Sequence, residues 1–284
     1  MSKIATIGFF DGVHKGHRFL FDHLRRVAQE RDLTPLIVTF DNHPRATLQS
    51  DYQPAMLTSR EERQELLERY GEVLMLPFEE IHSLTAQEFM TFLHDRYDVR
   101  VLVMGYDHRF GSDRLRRSQD YRRAGEACGV EVITLGEFVD GEYHVSSTEI
   151  RSALENGNIV MANELLGRPY TILGEVVHGK GVGRTIGFPT ANIRPLAPEK
   201  ITPKCGVYMA TVTTPVRDDA PAFVNIDHNG LIEVYIPSFK GDLYGAQLKI
   251  RFVRFIRDEK HFESLQELQE QIKDDVDSIL RPVS

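Results

Sequence analysis

The sequence has few cysteines and no long apolar run, and each shortage excludes a class of protein. Cys128 and Cys205 are its only cysteines, and they form neither a Cys-x-x-Cys pair nor a zinc-ligand set. A disulfide scaffold is therefore excluded. No uninterrupted apolar run approaches the ~20 residues of a membrane span, and the N-terminus lacks the small-residue cleavage site of a signal peptide. We expect a cytoplasmic protein with no membrane partner.

Positive charge is also in short supply, since 34 Lys and Arg stand against 42 Asp and Glu, a formal net charge of −8. An acidic chain does not favour duplex binding through phosphate neutralisation, and we expect no nucleic-acid partner. What is present is an ordinary globular composition, 41% hydrophobic and 27% charged over 284 residues. At ~150 residues per domain, this length suggests two domains.

The first half alternates short β-rich apolar runs with amphipathic helical patterns. The apolar runs cover residues 4–7, 36–40, 73–76, 101–104 and 131–134. Strand–helix alternation predicts a doubly wound α/β domain, a parallel sheet with helices on both sides. Such sheets bind ligands at the carboxyl ends of their strands.

The second half has a different pattern. Ser146 and Glu149 have the capping-box spacing and predict a helix that begins there, while Asn156-Gly157 ends it. Strand patterns over 170–177, 206–213, 222–226, 231–236 and 243–256 then follow without intervening helices, which predicts a small antiparallel β-barrel or sandwich. A terminal amphipathic helix carries Phe262, Leu265, Leu268, Ile272, Val276 and Ile279 on one stripe. We place the domain boundary after residue 156, which gives domains 1–156 and 157–284.

The stretch from Gly8 to His17 joins the first strand to the first helix and has the features of a phosphate site. Its glycines allow close backbone approach, and the helix N-terminus offers unpaired N–H groups. His14 and His17 add donors that can follow charge growing on phosphate oxygens. Two His three residues apart could also hold zinc, but no third ligand stands at a telling spacing.

This stretch resembles the His-x-Gly-His signature of the nucleotidylyltransferase superfamily and, more narrowly, its FAD synthetase branch. Segments 39–44, 105–111 and 145–151 fit the same branch, and all follow predicted strands. One departure is Phe9, which stands where the family usually has Asn. The resemblance implies that ATP adenylylates FMN and that pyrophosphate leaves.

The resemblance also implies residue roles. His14 and His17 would contact the triphosphate and stabilise the transition state, while Ser147, Thr148 and Arg151 would bind the leaving phosphates. The other residues expected to bind nucleotide or flavin are Gly8, Phe9, Asp11, Gly16, His43, Asp107 and Arg109. Taken alone, the stretch from Ser146 to Arg151 is more typical of an ordinary capped helix.

A second candidate site follows the predicted strand at 170–177. Gly179, Lys180, Gly183 and Arg184 lie in a glycine-rich turn whose backbone could cover phosphates. Thr190 and Asn192 offer hard oxygen ligands two residues apart, which suits Mg²⁺ shared with a nucleotide phosphate. In isolation, both are also typical turn residues.

Together these segments resemble riboflavin kinase, through residues 187–192, 205–208, 232–234 and 242–245. The resemblance implies a six-stranded barrel with a C-terminal helix, and Mg²⁺ and ATP phosphates held at Thr190 and Asn192. Glu233 would be the general base that takes the proton from the ribityl 5′-hydroxyl as it attacks the γ-phosphate. The alternative for Glu233 is an outward polar residue on an alternating strand.

The second domain departs from the family at residues 226–231, where Asn229-Gly230 predicts a tight hairpin in place of a longer loop, and at Tyr235, where the family has His. The leading interpretation is a bifunctional enzyme that uses ATP to convert riboflavin to FMN and FMN to FAD. Three alternatives stay open: an FAD synthetase with an impaired kinase domain, a nucleotidyltransferase acting on another phosphate such as pantetheine phosphate, and a non-catalytic flavin-binding protein. The oligomeric state is open.

Overall fold

The computed structural model describes residues 1–49, 51, 55–106, 108–140, 143–179, 181–237, 239–260 and 262–280. The chain divides into two compact units, residues 1–147 and 148–284. The boundary expected after residue 156 falls in the second unit, between its first two helices, and stays a prediction.

The first unit alternates strands with helices. Its strands are β1 (Lys3–Ile7), β2 (Thr34–Phe40), β3 (Glu72–Leu76), β4 (Val99–Met104), β5 (Glu131–Thr134), β6 (Val139–Asp140) and β7 (Tyr143–His144). Its helices are α1 (Lys15–Arg31), α2 (Pro44–Leu48), α3 (Arg60–Leu67), α4 (Phe78–Ile81), α5 (Ala86–Tyr97) and α6 (Ser118–Ala127). All five apolar runs singled out in the first half are strands.

Strands β1 to β5 form one parallel sheet in the order β3-β2-β1-β4-β5. The order reverses between β1 and β4, so the crevice at their carboxyl ends is the switch point at which doubly wound sheets bind ligands. The predicted phosphate-site stretch follows β1, and the stretch that begins at Gly105 follows β4. The predicted doubly wound fold is confirmed.

Both faces of this sheet are buried, as a parallel sheet requires. Ile4 packs with Phe21 and Leu24 of α1 on one side, whereas Ala5 packs with Phe89 of α5 on the other. Neighbouring residues of β1 therefore belong to different cores, and the strand reads as a continuous apolar run.

The second unit is a barrel preceded and followed by helices. Its elements are α7 (Ser147–Glu155, starting one residue before the unit), α8 (Ile159–Leu166), β8 (Thr171–Val177), α9 (Val182–Thr185), β9 (Thr190–Pro195), β10 (Gly206–Thr214), β11 (Arg217–Ile226), β12 (Ile232–Tyr235), β13 (Gln247–Arg257) and α10 (Leu265–Leu280). The six strands close in the order β10-β11-β12-β9-β8-β13, each antiparallel to its neighbours.

Alternation along the strands separates the barrel core from its outer wall. Ile232 and Val234 of β12 are buried in the core, and Glu233 and Tyr235 point to the opposite face. The predicted antiparallel barrel and terminal helix are confirmed. The residue pattern alone missed β9, because Gly187, Pro189 and Pro195 mask its strand signal.

In the part of the chain that the structure describes, no helix is both long enough and apolar enough to cross a lipid bilayer.

Candidate active sites

The turn after β1 adopts a backbone conformation that costs free energy. Phe10 and Val13 have φ of 56° and 41°, in the left-handed region that side chains with a Cβ disfavour, and Gly12 has φ of 79°. The Val13 N–H closes the turn by donating to the Phe10 carbonyl at 3.1 Å. Strain of this kind persists where surrounding contacts hold it.

Asp11 provides such contacts. Its carboxylate is only 3% exposed and accepts from the Leu57 and Thr58 N–H groups and from the Thr58 hydroxyl, at 3.0–3.1 Å. The Gly12 N–H in turn donates to Thr58 Oγ1 at 3.1 Å. Protein donors therefore surround the Asp11 carboxylate, and its hydrogen bonds tie the turn to residues 57 and 58.

The two histidines of the motif stack at the start of α1. Their ring centroids lie 3.6 Å apart at an interplanar angle of 20°. His14 is the N-cap, and its Nδ1 accepts from the His17 N–H at 3.4 Å. A neutral His14 ring that accepts at Nδ1 carries its proton on Nε2, so it can donate to an anion only through Nε2.

Contacts of the Phe9 ring join the ends of β1 and β2. The Phe9 ring meets the His43 ring edge-on, with centroids 4.8 Å apart, and the Arg63 guanidinium lies 4.0 Å from the Phe9 centroid. The Phe9 carbonyl also accepts from Thr39 Oγ1 at 3.1 Å. The residue that departs from the family pattern is therefore held on several sides.

Arg63 comes from α3, a helix whose start is fixed by a capping box between Ser59 and Glu62. Its side chain is 1% exposed, and its Nη2 donates to the carbonyls of Phe40 at 2.6 Å and Asp41 at 3.4 Å. Burial lowers the pKa of Arg63 to about 10, against the opposing effect of the Asp11 carboxylate. The guanidinium is therefore charged at neutral pH.

The remaining expected residues of the first site occupy three places. Gly16 lies in the first turn of α1, where an added Cβ would come within 3.3 Å of the Val145 carbonyl. Ser147 donates from Oγ to the Asp11 carbonyl at 2.9 Å. Thr148 and Arg151 follow on α7 in the second unit, and their expected role stays a prediction.

The stretch after β4 is less informative. Arg109 is exposed, and its Nη1 donates to the carbonyls of His108 at 2.9 Å and Tyr106 at 3.5 Å within its own loop. Asp107 lies outside the described residues. The expected flavin contacts of both stay predictions.

In the second unit, a cavity of about 510 Å³ lies against the outer wall of the barrel. Its floor comes from outward-facing residues of four strands: Thr190, Val207, Phe223, Asn225, Glu233 and Tyr235. Its other wall is α10 with the segment before it, which contribute Phe262, Leu265, Leu268 and Ile272. The volume suits a small organic ligand.

Strand register places the polar residues of this floor in one row. Glu233 of β12 pairs with Asn192 of β9 on one side and with Asn225 of β11 on the other. Thr190 lies two residues before Asn192 and so shares its face. Directly paired residues project to the same face, so the expected base and the expected Mg²⁺ ligands point the same way.

The glycine turn packs directly on these ligands. A Cβ at Gly179 would overlap the Asn192 amide at 2.1 Å, and one at Gly183 would lie 2.3 Å from the Phe188 carbonyl and 3.1 Å from Thr190 Oγ1. Only glycine permits this approach. Lys180 lies outside the described residues, and Arg184 is placed only as a backbone position of α9.

The chemistry of this donor set fits Mg²⁺ shared with a nucleotide. Thr190 and Asn192 offer neutral oxygens, and Mg²⁺ commonly takes one or two protein ligands while phosphates and water supply the rest. Within the described residues, no cluster of three or more His, Cys, Asp or Glu could hold a metal alone. These residues are thus suited to a metal that arrives with its nucleotide.

The hairpin between β11 and β12 is as short as the sequence predicts. The Asp227 carboxylate accepts from the N–H groups of Asn229 and Leu231, both at 2.8 Å, and Gly230 has φ of 80°. Burial raises the pKa of Asp227, but these hydrogen bonds lower it more, and the net pKa lies below its usual value. The hairpin turn is therefore held by hydrogen bonds among its own residues.

A buried ion pair holds α10 against the barrel. Arg257, at the end of β13, donates from Nε and Nη2 to the Asp275 carboxylate at 2.7–3.2 Å, and the two side chains are 16% and 9% exposed. Gln271 adds a hydrogen bond to Asp275 at 3.0 Å, and Lys260 donates to Gln271 at 2.7 Å. The ion pair thereby ties the α10 wall of the cavity to the end of β13.

Sequence reasoning missed one set of residues at these sites and the role of another. Arg63 and Thr58 gave no motif, although the Ser59–Glu62 capping box could have located the helix of Arg63 and the segment before it. The apolar stripe of α10 was found, but its part in the cavity follows only from the packing.

Comparisons with known proteins match the two halves of the chain to two different families. The family model described as FAD synthetase matches residues 1–149, and that described as riboflavin kinase matches residues 166–282. The protein of Escherichia coli (strain K12) called bifunctional riboflavin kinase/FMN adenylyltransferase is 36% identical over 283 residues, which cover 96% of this chain and 90% of the relative. The relative of the same name from Bacillus subtilis (strain 168) is 35% identical over 295 residues, 98% of this chain and 92% of its own.

A solved structure shares the fold of both units. It is described as a macrolide-efflux protein from Streptococcus pneumoniae, is 33% identical in sequence and has a TM-score of 0.89. The match covers 100% of this chain and 95% of that chain.

Proposed function

Because this chain belongs to the family of bifunctional riboflavin kinases/FMN adenylyltransferases, we propose that it phosphorylates riboflavin in its second unit and adenylylates the resulting FMN in its first. ATP, riboflavin and FMN are its substrates. The observation that carries the proposal is that each unit presents its own polar site, the stacked His14–His17 pair in one and the row around Glu233 in the other. The cytoplasmic location stays a prediction.

In the first unit, the FMN phosphate attacks the α-phosphorus of ATP, and pyrophosphate leaves. His14 and His17 lie at the N-terminus of α1, where N–H groups and the helix dipole favour anions. Their ring N–H donors stabilise charge that grows on the phosphate oxygens in the transition state. Ser147 is the residue of this unit that we assign to the leaving pyrophosphate. The phosphate roles expected for Thr148 and Arg151, the latter with a permanently charged fork, stay predictions.

The residues around the histidines act on the shape of this site. Gly8 and Gly16 allow the nucleotide close to the backbone, and His43 and Phe9 form one edge at the ends of β1 and β2. Asp11 has a bracing role, since its carboxylate is taken up by residues 57 and 58.

In the second unit, the Glu233 carboxylate takes the proton from the ribityl 5′-hydroxyl as that oxygen attacks the γ-phosphorus of ATP, and ADP leaves. Val207 and Phe223 of the floor, together with the α10 wall, bury the flavin ring and exclude water. The turn from Gly179 to Arg184 covers the phosphates. Mg²⁺, held at Thr190 and Asn192, supplies charge neutralisation of the triphosphate when bound.

A second candidate function is FAD synthesis from FMN alone, and the short β11–β12 hairpin favours it. Residues 227–231 leave little chain to close over a flavin there. Against it stand the cavity of about 510 Å³ and the row of Glu233, Asn192 and Asn225.

Product analysis separates these functions. Purified protein is incubated with Mg²⁺, ATP and either riboflavin or FMN, and the flavins are resolved by chromatography. We expect FAD from both substrates, with FMN as the intermediate from riboflavin. FAD from FMN only would establish the second candidate, and no FAD from either would refute the assignment of the first unit.

A further inference from the structure

Arg63 is a buried cation that the mechanism above does not use. Its contacts lie at the strand ends beside the stacked histidines. Its guanidinium stacks on Phe9 at the end of β1 and donates to the carbonyls of Phe40 and Asp41 at the end of β2. One side chain of α3 thus fixes two adjacent strand ends.

The start of α3 also holds the turn that carries the histidines. Leu57 and Thr58, just before its capping residue Ser59, make the hydrogen bonds to Asp11 and Gly12. The strained turn from Phe10 to Val13 is therefore bounded by two attachments to the same segment. One is the Asp11 carboxylate, and the other is the Arg63 guanidinium beneath Phe9.

Burying the Arg63 guanidinium costs more free energy than filling the same volume with an apolar side chain would. A buried charge loses hydration, and apolar residues of similar volume often replace buried ionic groups without loss of stability. Arg63 Nε is buried and has no hydrogen-bond partner among the described residues. What the guanidinium adds over an apolar side chain is direction, since its planar fork sets where a ring and two carbonyls lie.

We propose that Arg63 is a positioning residue for adenylyl transfer, which aligns the strand ends at Phe9 and Phe40 and so holds His14 and His17 in register with the reacting phosphates. The inference rests on the proposed function of the first unit. A small misplacement of catalytic groups can lower a rate about 100-fold with little effect on substrate affinity. The loss should therefore appear in kcat for FAD formation rather than in KM.

The test compares R63M, R63K and L67A in the full-length protein. R63M keeps the volume and removes the fork, and R63K keeps the charge. L67A removes a fully buried apolar side chain of the same helix, which belongs to the core that contains Leu24 and Ile37 and carries no polar group. For each, kcat and KM for FMN and ATP are measured well below the unfolding temperature, and the unfolding temperature is measured separately. FMN formation in the second unit reports the amount of competent protein.

We expect R63M to lower kcat for FAD formation ~10- to 100-fold with KM values within about threefold, and R63K to recover part of the loss. L67A should lower the unfolding temperature at least as much and leave kcat within about threefold. If R63M kept the wild-type kcat, or if the losses of kcat in R63M and L67A followed their losses in unfolding temperature, the inference would be overturned and the proposed function would stand. Absence of FAD formation by the wild-type protein would overturn the proposed function and this inference together.

A double substitution tests the route through Phe9. If Arg63 acts through the ring of Phe9, the losses of kcat caused by F9L and by R63M should not multiply. The double variant F9L/R63M should then lower kcat little further than R63M alone. Losses of kcat that multiply fully would overturn the role of the contact between Arg63 and Phe9.

Discussion

At the scale of single residues, the first site combines one strained turn with two aromatic donors. Phe10 and Val13 hold left-handed φ angles, and the contacts that keep them there come from Asp11, Thr58 and Ser147. His14 caps α1, and His17 stacks on His14 and meets the Phe10 ring edge-on, with centroids 5.2 Å apart. Because these hydrogen bonds of Asp11, Thr58 and Ser147 do not involve the His17 side chain, we expect substitution of His17 to affect chemistry more than folding.

Replacing His17 with Ala should lower FAD formation ~100- to 1,000-fold, because a donor aimed at developing phosphate charge is lost. FMN formation from riboflavin should be unchanged. Both rates are measured by chromatography of the flavin products. H23A is the matched control, since His23 lies on the same helix and bonds to Arg26 away from the site; equal losses in H17A and H23A would argue against a role for His17.

Replacing Glu233 with Gln should have the opposite effect. It keeps the shape of the side chain but removes the base, so FMN formation should fall ~100- to 10,000-fold, whereas FAD formation from supplied FMN persists. E175Q serves as control, because Glu175 lies on β8 and pairs with Arg194. Unchanged FMN production by E233Q would remove Glu233 from the mechanism.

How far the sequence predicts a site depends on how its residues act. His14, His17 and Glu233 stand in motifs, and their positions at strand ends or on a strand follow from local pattern. Arg63 is one of two arginines in α3, and its tertiary contacts with Phe9 and Phe40 are what distinguish it. Residues that act through packing leave no local signal.

At the scale of elements, the β11–β12 hairpin shows how a shortened loop can be ordered. Asp227 gathers the N–H groups of Asn229 and Leu231, and its pKa is lowered by these bonds in spite of burial. A carboxyl whose pKa falls on folding adds stability that is fully present above its unfolded pKa of ~3.9. That stability is lost as the pH falls through the lower folded value.

Replacing Asp227 with Asn should accordingly lower the unfolding temperature at pH 7 by a few degrees, because hydrogen bonds to a neutral amide are weaker. The difference from wild type should narrow as the pH falls from about 4 towards 2. Thermal unfolding followed by circular dichroism at several pH values measures both. D218N, on the exposed part of β11, is the control, and its unfolding temperature should stay close to that of the wild type at every pH. If the difference in unfolding temperature between D227N and wild type did not change with pH, the stabilising role of the Asp227 carboxylate would be contradicted.

Elements differ in how well pattern predicts them. The five parallel strands were predicted because they are buried on both faces and read as apolar runs. Strand β9 carries Pro195 and follows Gly187 and Pro189, so only its pairing with β8 and β12 makes it a strand. Thr190 and Asn192, typical of a turn by residue type, thus lie on a sheet.

At the scale of the whole molecule, the proposed base Glu233 and the proposed phosphate donors His14 and His17 belong to different units. FMN leaves one site as product and enters the other as substrate. If FMN is free to exchange through solution, two inactive variants should restore the overall reaction when mixed.

We expect neither H17A nor E233Q to form FAD from riboflavin alone, and an equimolar mixture to form it after a lag. H17A supplies FMN, and E233Q adenylylates it. The lag should shorten as the protein concentration rises, as measured by the time course of FMN and FAD. A mixture that accumulates FMN without FAD would contradict independent sites.

The ion pair between Arg257 and Asp275 has a consequence for synthesis of the chain. The wall of the kinase cavity belongs to α10, which the ribosome makes after every strand of the barrel. A nascent chain can thus close the parallel sheet of its first unit early, while the cavity of the second unit gains its α10 wall only after all of the barrel strands have been made. Premature termination before residue 265 would release a polypeptide with the first unit entire and an open trough in place of the second pocket.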